Sequence, residues 1–272
     1  MSSPAANVSD ILAKYNSGAS LVGSDLSNLD LYAIALRGAN LAQVDFSGTI
    51  LTNADLSSVN LAGANLQNAD LRGANLTQAN LTGANLTGAY LTRSDLRQAN
   101  LSEANLENTK LNVAIYDRQT VFPSEFSYQS SGAVGPGAKL NGAYLNTANL
   151  RGVDLTGAKM IGAYLSGTDL TEAILDDVSL SGANLQKAIL TGASLRNARL
   201  GSTELKGADL RATDLTGANL ENLQNIAGAD FSWAIGLSDR VRASLFSYPA
   251  PELTTWNSYT RCNTKDSLEI RK

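Results

Sequence analysis

From Leu21 an apolar residue returns at every fifth position as far as Leu111, and the same beat runs again from Leu140 to Leu220. The beat is leucine throughout, with Phe46 and Met160 as its two substitutes. A small residue, usually Ala, stands two places before each centre. Asn or Asp usually stands one place before it, and Thr, Ser, Arg, Gln and Gly follow. A period of five matches neither the 3.6 of a helix nor the 2.0 of a strand. It belongs to a coil in which each five-residue unit forms one short side. A second period, of twenty, places Asn40, Asn60, Asn80 and Asn100 each just before a leucine. Four units per turn would stack these asparagines about 4.8 Å apart, the spacing of hydrogen-bonded strands. Stacked asparagines can bond along such a ladder. The pattern therefore predicts an all-β solenoid.

Its interior is a narrow column of leucines kept narrow by alanine, each buried leucine being worth roughly 1.5–3 kcal/mol. About nine coils at the strand spacing would make a rigid rod about 40–45 Å long. Leu29, Ile34 and Val44 replace the early small residues, so the first coils should be wider or less regular. Ile50 falls at an outward position and should be a small exposed apolar spot.

The rest of the chain brackets these two blocks. Residues 1–20 form an N-terminal cap, with a helix over 7–17. There Val8, Ile11, Leu12 and Tyr15 share a face, Asn7 or Ser9 caps the start, and Gly18 ends it. The cap covers the strand edges that an open solenoid end would expose. The first block spans 21–111. Residues 112–139 break the register, with a turn at Gly135–Gly137, and are expected to form a side loop or hairpin past which the stack continues. The second block spans 140–231, with one extra residue after Leu220 shifting the phase to Ile226. In the C-terminal cap and tail, 232–272, Ser238 should cap a helix that Pro249 and Pro251 stop. Trp233, Leu253, Trp256 and Tyr259 should close the end of the core.

Tandem units such as ADLRG at 69–73, ANLTG at 84–88 and ANLSE at 99–103 resemble the pentapeptide-repeat proteins, whose repeat is A(D/N)LXX. The resemblance implies a right-handed, four-sided parallel β-helix with the leucine and the small residue inward. Tyr116, Asp117, Thr120, Phe122, Pro123 and Phe126 follow a pattern similar to insertions in cyanobacterial members of that family. Loops on a rigid scaffold often carry binding specificity. Tyr116, Asp117, Phe122, Pro123 and Phe126 are thus a candidate partner-binding loop, although Phe122 and Phe126 would equally pin the loop to the coil wall.

The inventory of chemical groups points away from catalysis. The chain has no histidine and a single cysteine, Cys262. These exclude a Ser-His-Asp arrangement, an internal disulfide and a cysteine-based zinc site. No phosphate-cradling loop is present, and the frequent glycines recur at the corner of the five-residue unit. Asp176 and Asp177 would serve acid–base work only in a cleft. The expectation is a protein that is not an enzyme and takes no cofactor or metal. No stretch is long and apolar enough to span a membrane, and the opening residues lack a signal-peptide run. A cytoplasmic location is expected, rather than the thylakoid lumen known for some relatives.

Lys139, Lys159 and Arg199 fall in one column of the second block, and Tyr144 and Tyr164 in a neighbouring one. Together they are a candidate surface patch for an anionic or planar group, or else part of a solvated, mixed-charge surface. The net charge of −4 is too weak to name a partner. The function expected is a rigid scaffold mediating protein–protein interaction, with a regulatory role, using the solenoid faces and the 112–139 loop. Its partner would be a protein, not nucleic acid or membrane. The scaffold itself would be a monomer, or an end-to-end dimer through the C-terminal cap. The alternative is a DNA-mimic modulator of a type II topoisomerase, as in the quinolone-resistance branch of the family. That needs an acidic face, but residues 21–111 carry eight acids against five bases, and 139–223 nine against eight.

Overall fold

The computed structural model describes residues 8–270. Two compact units follow one another, divided between Val134 and Gly135. In both, the residue before each leucine is bridged in parallel to the residue twenty further on: Asn40 to Asn60 to Asn80 to Asn100, and Lys159 to Ser179 to Arg199. Four such bridges occur per turn, so each unit is a four-sided parallel β-helix. Each side is almost all corner. Leu26 N–H donates to the Asp45 carbonyl at 2.8 Å, Asp45 N–H returns to Ser24 at 2.9 Å, and the chain then turns. The turn closes between residues three apart, as in Ile34 N–H to Leu31 C=O at 3.1 Å, with its third residue, Ala33, at φ 53°. A positive φ at that place is the mark of a type II turn, which explains the recurrent Gly and Asn there.

The leucine centres are almost wholly buried, from Leu36 through Leu101 in unit 1 and from Leu150 through Leu210 in unit 2. Where Thr replaces the inward Ala, its hydroxyl finds a carbonyl: Thr49 to Leu26 and Thr168 to Leu145, each at 2.7 Å. A buried hydroxyl thus costs little, because it is satisfied. Ile50 is exposed, as its outward register requires.

Unit 1 begins with α1 (Val8–Ser17). Gly18, at φ 72°, ends it, with Ala19 N–H donating to Lys14 C=O at 2.9 Å and Gly18 N–H to Tyr15 at 3.1 Å. The helix seats Ile11, and Tyr15 Oη donates to Arg37 C=O at 2.9 Å. Val8 is exposed, so the buried face is narrower than its spacing suggested. Ser9 lies inside the helix, and Asn7 falls outside the described residues.

The register break after Leu111 is not a side loop throughout: the stack runs on to Val121 and resumes at Val134, and only the stretch between them makes no bridge. Tyr116 takes the next leucine slot and is buried, and Ile115 bridges Asp95. One extra residue is absorbed before Val121, which bridges Asn100, and Val134 then bridges Ile115 after nineteen residues. Residues through Val134 therefore make the closing coil of unit 1, whereas Lys139 already pairs with Lys159 in unit 2. An inserted residue can be taken up at a corner as long as the bridging residues on either side stay in step.

In unit 2 the extra residue after Leu220 lengthens the last turn by one. Glu204 bridges Asn225, Asp209 bridges Asp230, and Ile226 is buried. The C-terminal cap contains α2 (Asp239–Phe246), α3 (Ala250–Thr254), the paired β1 (Trp256–Asn257) and β2 (Cys262–Asn263), and α4 (Thr264–Glu269). Ser238 caps α2 as expected, accepting from Val241 N–H. Pro249 and Pro251 do not simply stop it, since they open α3, where a proline in the first turn forfeits no helix bond. Of the four residues expected to close this end, Leu253 does so and the three aromatic ones do not. Trp233, Trp256 and Tyr259 are exposed, and the apolar plug is Leu245, Leu253 and Leu268. Polar side chains cover the strand edge. Glu252 accepts from Ile226 N–H at 2.9 Å, Ser267 from Phe231 N–H at 3.0 Å, and Thr264 donates to Ile226 C=O at 2.7 Å. An unpaired edge needs hydrogen bonds as much as it needs apolar cover.

Candidate interaction surface

With the interior filled, chemistry is confined to outward positions. Most of these are spent on the fold itself. The Asp or Asn before a leucine accepts the N–H two residues on, as Asp45 does from Ser47 at 2.8 Å and Asn80 from Thr82 at 3.1 Å. Asparagines also bond up the column: Asn60 Nδ2 to Asn40 Oδ1 at 2.9 Å and Asn80 to Asn60 at 3.1 Å. Where Arg lies two residues beyond Asp, it folds back on the carboxylate. Arg72 holds Asp70, Arg97 holds Asp95 and Arg211 holds Asp209. The Arg72 guanidinium keeps the Asp70 carboxyl below the ordinary carboxylate range, outweighing the effect of burial. The Ser57 hydroxyl does the same for Asp55.

The columns expected in unit 2 are both present. Lys139 bridges Lys159, Ser179 follows, then Arg199, and the three basic side chains are exposed. None of the three takes part in an ion pair among the described residues, whereas Arg151, Arg196 and Arg211 do. On the adjoining side Tyr144 and Tyr164 stack with ring centroids 4.7 Å apart and planes 4° apart. They remain 76% and 42% exposed. Ile161, at the corner between Lys159 and Tyr164, is 51% exposed, so an apolar step joins the basic column to the aromatic one. Sequence reading passed over Ile161, although an apolar residue just after a centre, where Asn141 and Ser181 stand in neighbouring coils, was the available signal. Asp176, near this surface in sequence, is occupied in accepting from the Ser194 hydroxyl and from Arg196 N–H at 3.2 Å.

The candidate loop residues of unit 1 are brought together, but mainly with one another. Phe122 stacks on Tyr128 at 4.7 Å, Tyr116 meets both rings edge-on, and Phe126 lies 5.9 Å from Phe122. Asp117 accepts from the N–H groups of Gln98, Gln119 and Thr120 at 2.9–3.0 Å and so holds its turn closed. Pro123 and Phe126 border a shallow hollow with Ala104 and Leu106. Phe122 is the ring that meets the other three, and Tyr128, which the spacing does not single out, stacks on it.

A model of pentapeptide repeats, in eight copies, matches residues 39–78, 79–112, 137–167, 163–201 and 193–235. The chain belongs to the pentapeptide repeat family. Its fold is the right-handed quadrilateral β-helix of that family. Among similar solved structures is HetL, a pentapeptide repeat protein involved in heterocyst differentiation regulation from the cyanobacterium Nostoc sp. strain PCC 7120. It is 31% identical, with 85% of this chain and 97% of that chain covered, at a TM-score of 0.33. The pentapeptide repeat protein alr5209, also from Nostoc, is 31% identical over 48% of this chain and 98% of its own, at a TM-score of 0.25. QnrB1, a plasmid-mediated fluoroquinolone resistance protein, is 19% identical over 80% and 94% at 0.31. No curated protein matches. Among the described residues of this pentapeptide repeat protein, no helix is long and apolar enough to cross a membrane.

Proposed function

We propose that this chain is a non-enzymatic scaffold that binds a protein partner through the outward surface of unit 2. The observation that carries this reading is the stacked, exposed Tyr144–Tyr164 pair beside the unpaired Lys139, Lys159 and Arg199. Tyrosine and arginine are among the residues that dominate binding energy at protein interfaces, and the lysines add attraction for an acidic segment. The partner segment they fit is acidic with apolar anchors. A regulatory role is supported by the family relationship with HetL, whose involvement is in regulating heterocyst differentiation. The Tyr116–Phe126 cluster is given the lesser part, because its rings are engaged with each other. The DNA-mimic reading is less well supported, since carboxylates such as Asp55, Asp70 and Asp214 are tied to turn amides or arginines.

Affinity purification with the intact chain, with the Tyr144→Ala/Tyr164→Ala variant and with Phe126→Ala tests the reading. The tyrosine variant should lose the partner and Phe126→Ala should keep it. Equal recovery with all three would remove unit 2 from the mechanism. Inhibition of gyrase supercoiling by the intact protein would favour the topoisomerase reading instead.

A further inference from the structure

Beyond that surface, unit 2 contains a cleft of about 370 Å³ where the C-terminal cap lies against the last coils. Its floor is Ile189, Gly207, Ala227 and Gly228, and its wall carries Trp256 and Tyr259. The rings do not seal the solenoid: Trp256 is 61% and Tyr259 64% exposed. The wall is nevertheless fixed. Asn257, buried between them in sequence, donates to the carbonyls of Gly228 at 2.8 Å and Gly207 at 3.2 Å, and it accepts from Tyr259 N–H at 3.0 Å. Lys187 and Lys206 line the same cleft, both exposed and neither in an ion pair among the described residues. The one carboxylate in the lining, Asp209, is buried and already closed by Arg211 at 2.8 Å and the Thr191 hydroxyl at 2.8 Å. The cleft therefore offers two uncommitted ammonium groups, two uncommitted rings and an apolar floor, with no free negative charge.

We propose that this cleft is a binding site for a planar aromatic anion of mononucleotide size, its ring against Trp256 and Tyr259 and its acidic group on Lys187 and Lys206. The volume falls within the range of small-molecule sites, about 300–1,000 Å³. Stacking on an indole serves a flat ring, and charge-assisted bonds from the lysines serve an anionic group. The site shares no residue with the Tyr144–Tyr164 surface.

Trp233→Phe leaves Trp256 as the only tryptophan, and its fluorescence reports the cleft. In that background, AMP should quench the emission saturably, and adenosine and inorganic phosphate should each do so at least roughly tenfold more weakly. Lys187→Gln/Lys206→Gln, which removes both charges and keeps a polar side chain, should weaken AMP by roughly tenfold or more while leaving the thermal midpoint in place. Tyr259→Ala should weaken it too. The proposal is overturned if AMP gives no saturable quench, or if the lysine variant binds AMP as well as its parent. Adenosine or phosphate alone matching AMP would overturn it as well. So would an acidic peptide that quenches Trp256 where AMP does not.

Discussion

The column Asn40–Asn60–Asn80–Asn100 in unit 1 and the column Lys139–Lys159–Ser179–Arg199 in unit 2 occupy the same place in the repeat and have the same backbone bridges. Their side chains are used oppositely. Asn60 gives a bond to Asn40, takes one from Asn80 and takes another from Ala62 N–H, so the fold consumes it. Lys159 has no counterpart to these bonds and extends into solvent. The backbone ladder alone therefore suffices to hold a coil, and the asparagine ladder is an addition to it. Positions released from that ladder are available for recognition; unit 1 releases a few, such as Ile50 and Tyr90, and unit 2 gathers a basic column beside a stacked aromatic one.

The contrast can be broken at its base. If both units share one kind of interior, Leu81→Ala in unit 1 and Leu185→Ala in unit 2 should each cost about 2–5 kcal/mol, since both leucines are fully buried. Chemical denaturation of each variant measures this, and a large inequality would mean that the units differ inside as well as outside. Next, Asn60→Ala should cost about 1–2 kcal/mol, having removed bonds at three partners. Faster amide exchange should be confined to the neighbouring coils of unit 1. A loss as small as that of a free surface residue would refute the ladder's contribution.

The carboxylates sharpen the comparison from another side, because both units have them. Asp55 is held low by the Ser57 hydroxyl and Asp70 by Arg72; in unit 2, burial pushes Asp169 up, but the Thr171 hydroxyl and N–H together with Arg151 bring it below the ordinary value. Such groups ionise more readily folded than unfolded. Their contribution is complete above the unfolded value of about 3.9 and drains away as pH falls through the lower folded values. The thermal midpoint should thus be level from pH 5 to 7 and fall below about pH 4, with exchange rising in both units together. The smallest effect belongs to Lys159→Ala, expected to change stability by less than about 0.5 kcal/mol in the same denaturation measurement. A larger loss would show that the basic column helps hold the coil after all.

How much of this was legible in the residues follows from what each element depends on. The coil depends on inward side chains, and the leucine beat names them one by one. The two outward columns of unit 2 followed from arithmetic alone. Tyr116 defeated the reading because an aromatic residue stands in a leucine's slot and the following coils have twenty-one and nineteen residues, so a continuing wall looked like an excursion. The C-terminal cap is legible only at Leu253, because bulk alone does not mark closure. Glu252, Thr264 and Ser267 do that work through single hydrogen bonds to the last coil, and short polar stretches such as α4 carry no periodicity to reveal them. The cleft beside Trp256 and the exposed Ile161 depend on which coils come to lie side by side, which spacing alone does not rank.

The bridge from each residue to the one twenty further on also limits how such a chain can change length. Removing a single five-residue unit would turn everything downstream by a quarter revolution and scatter every vertical row across the wrong walls. Removing or duplicating twenty residues would leave each row intact, one storey shorter or taller. Within each unit the protein can therefore be resized without being redesigned, but only in whole floors.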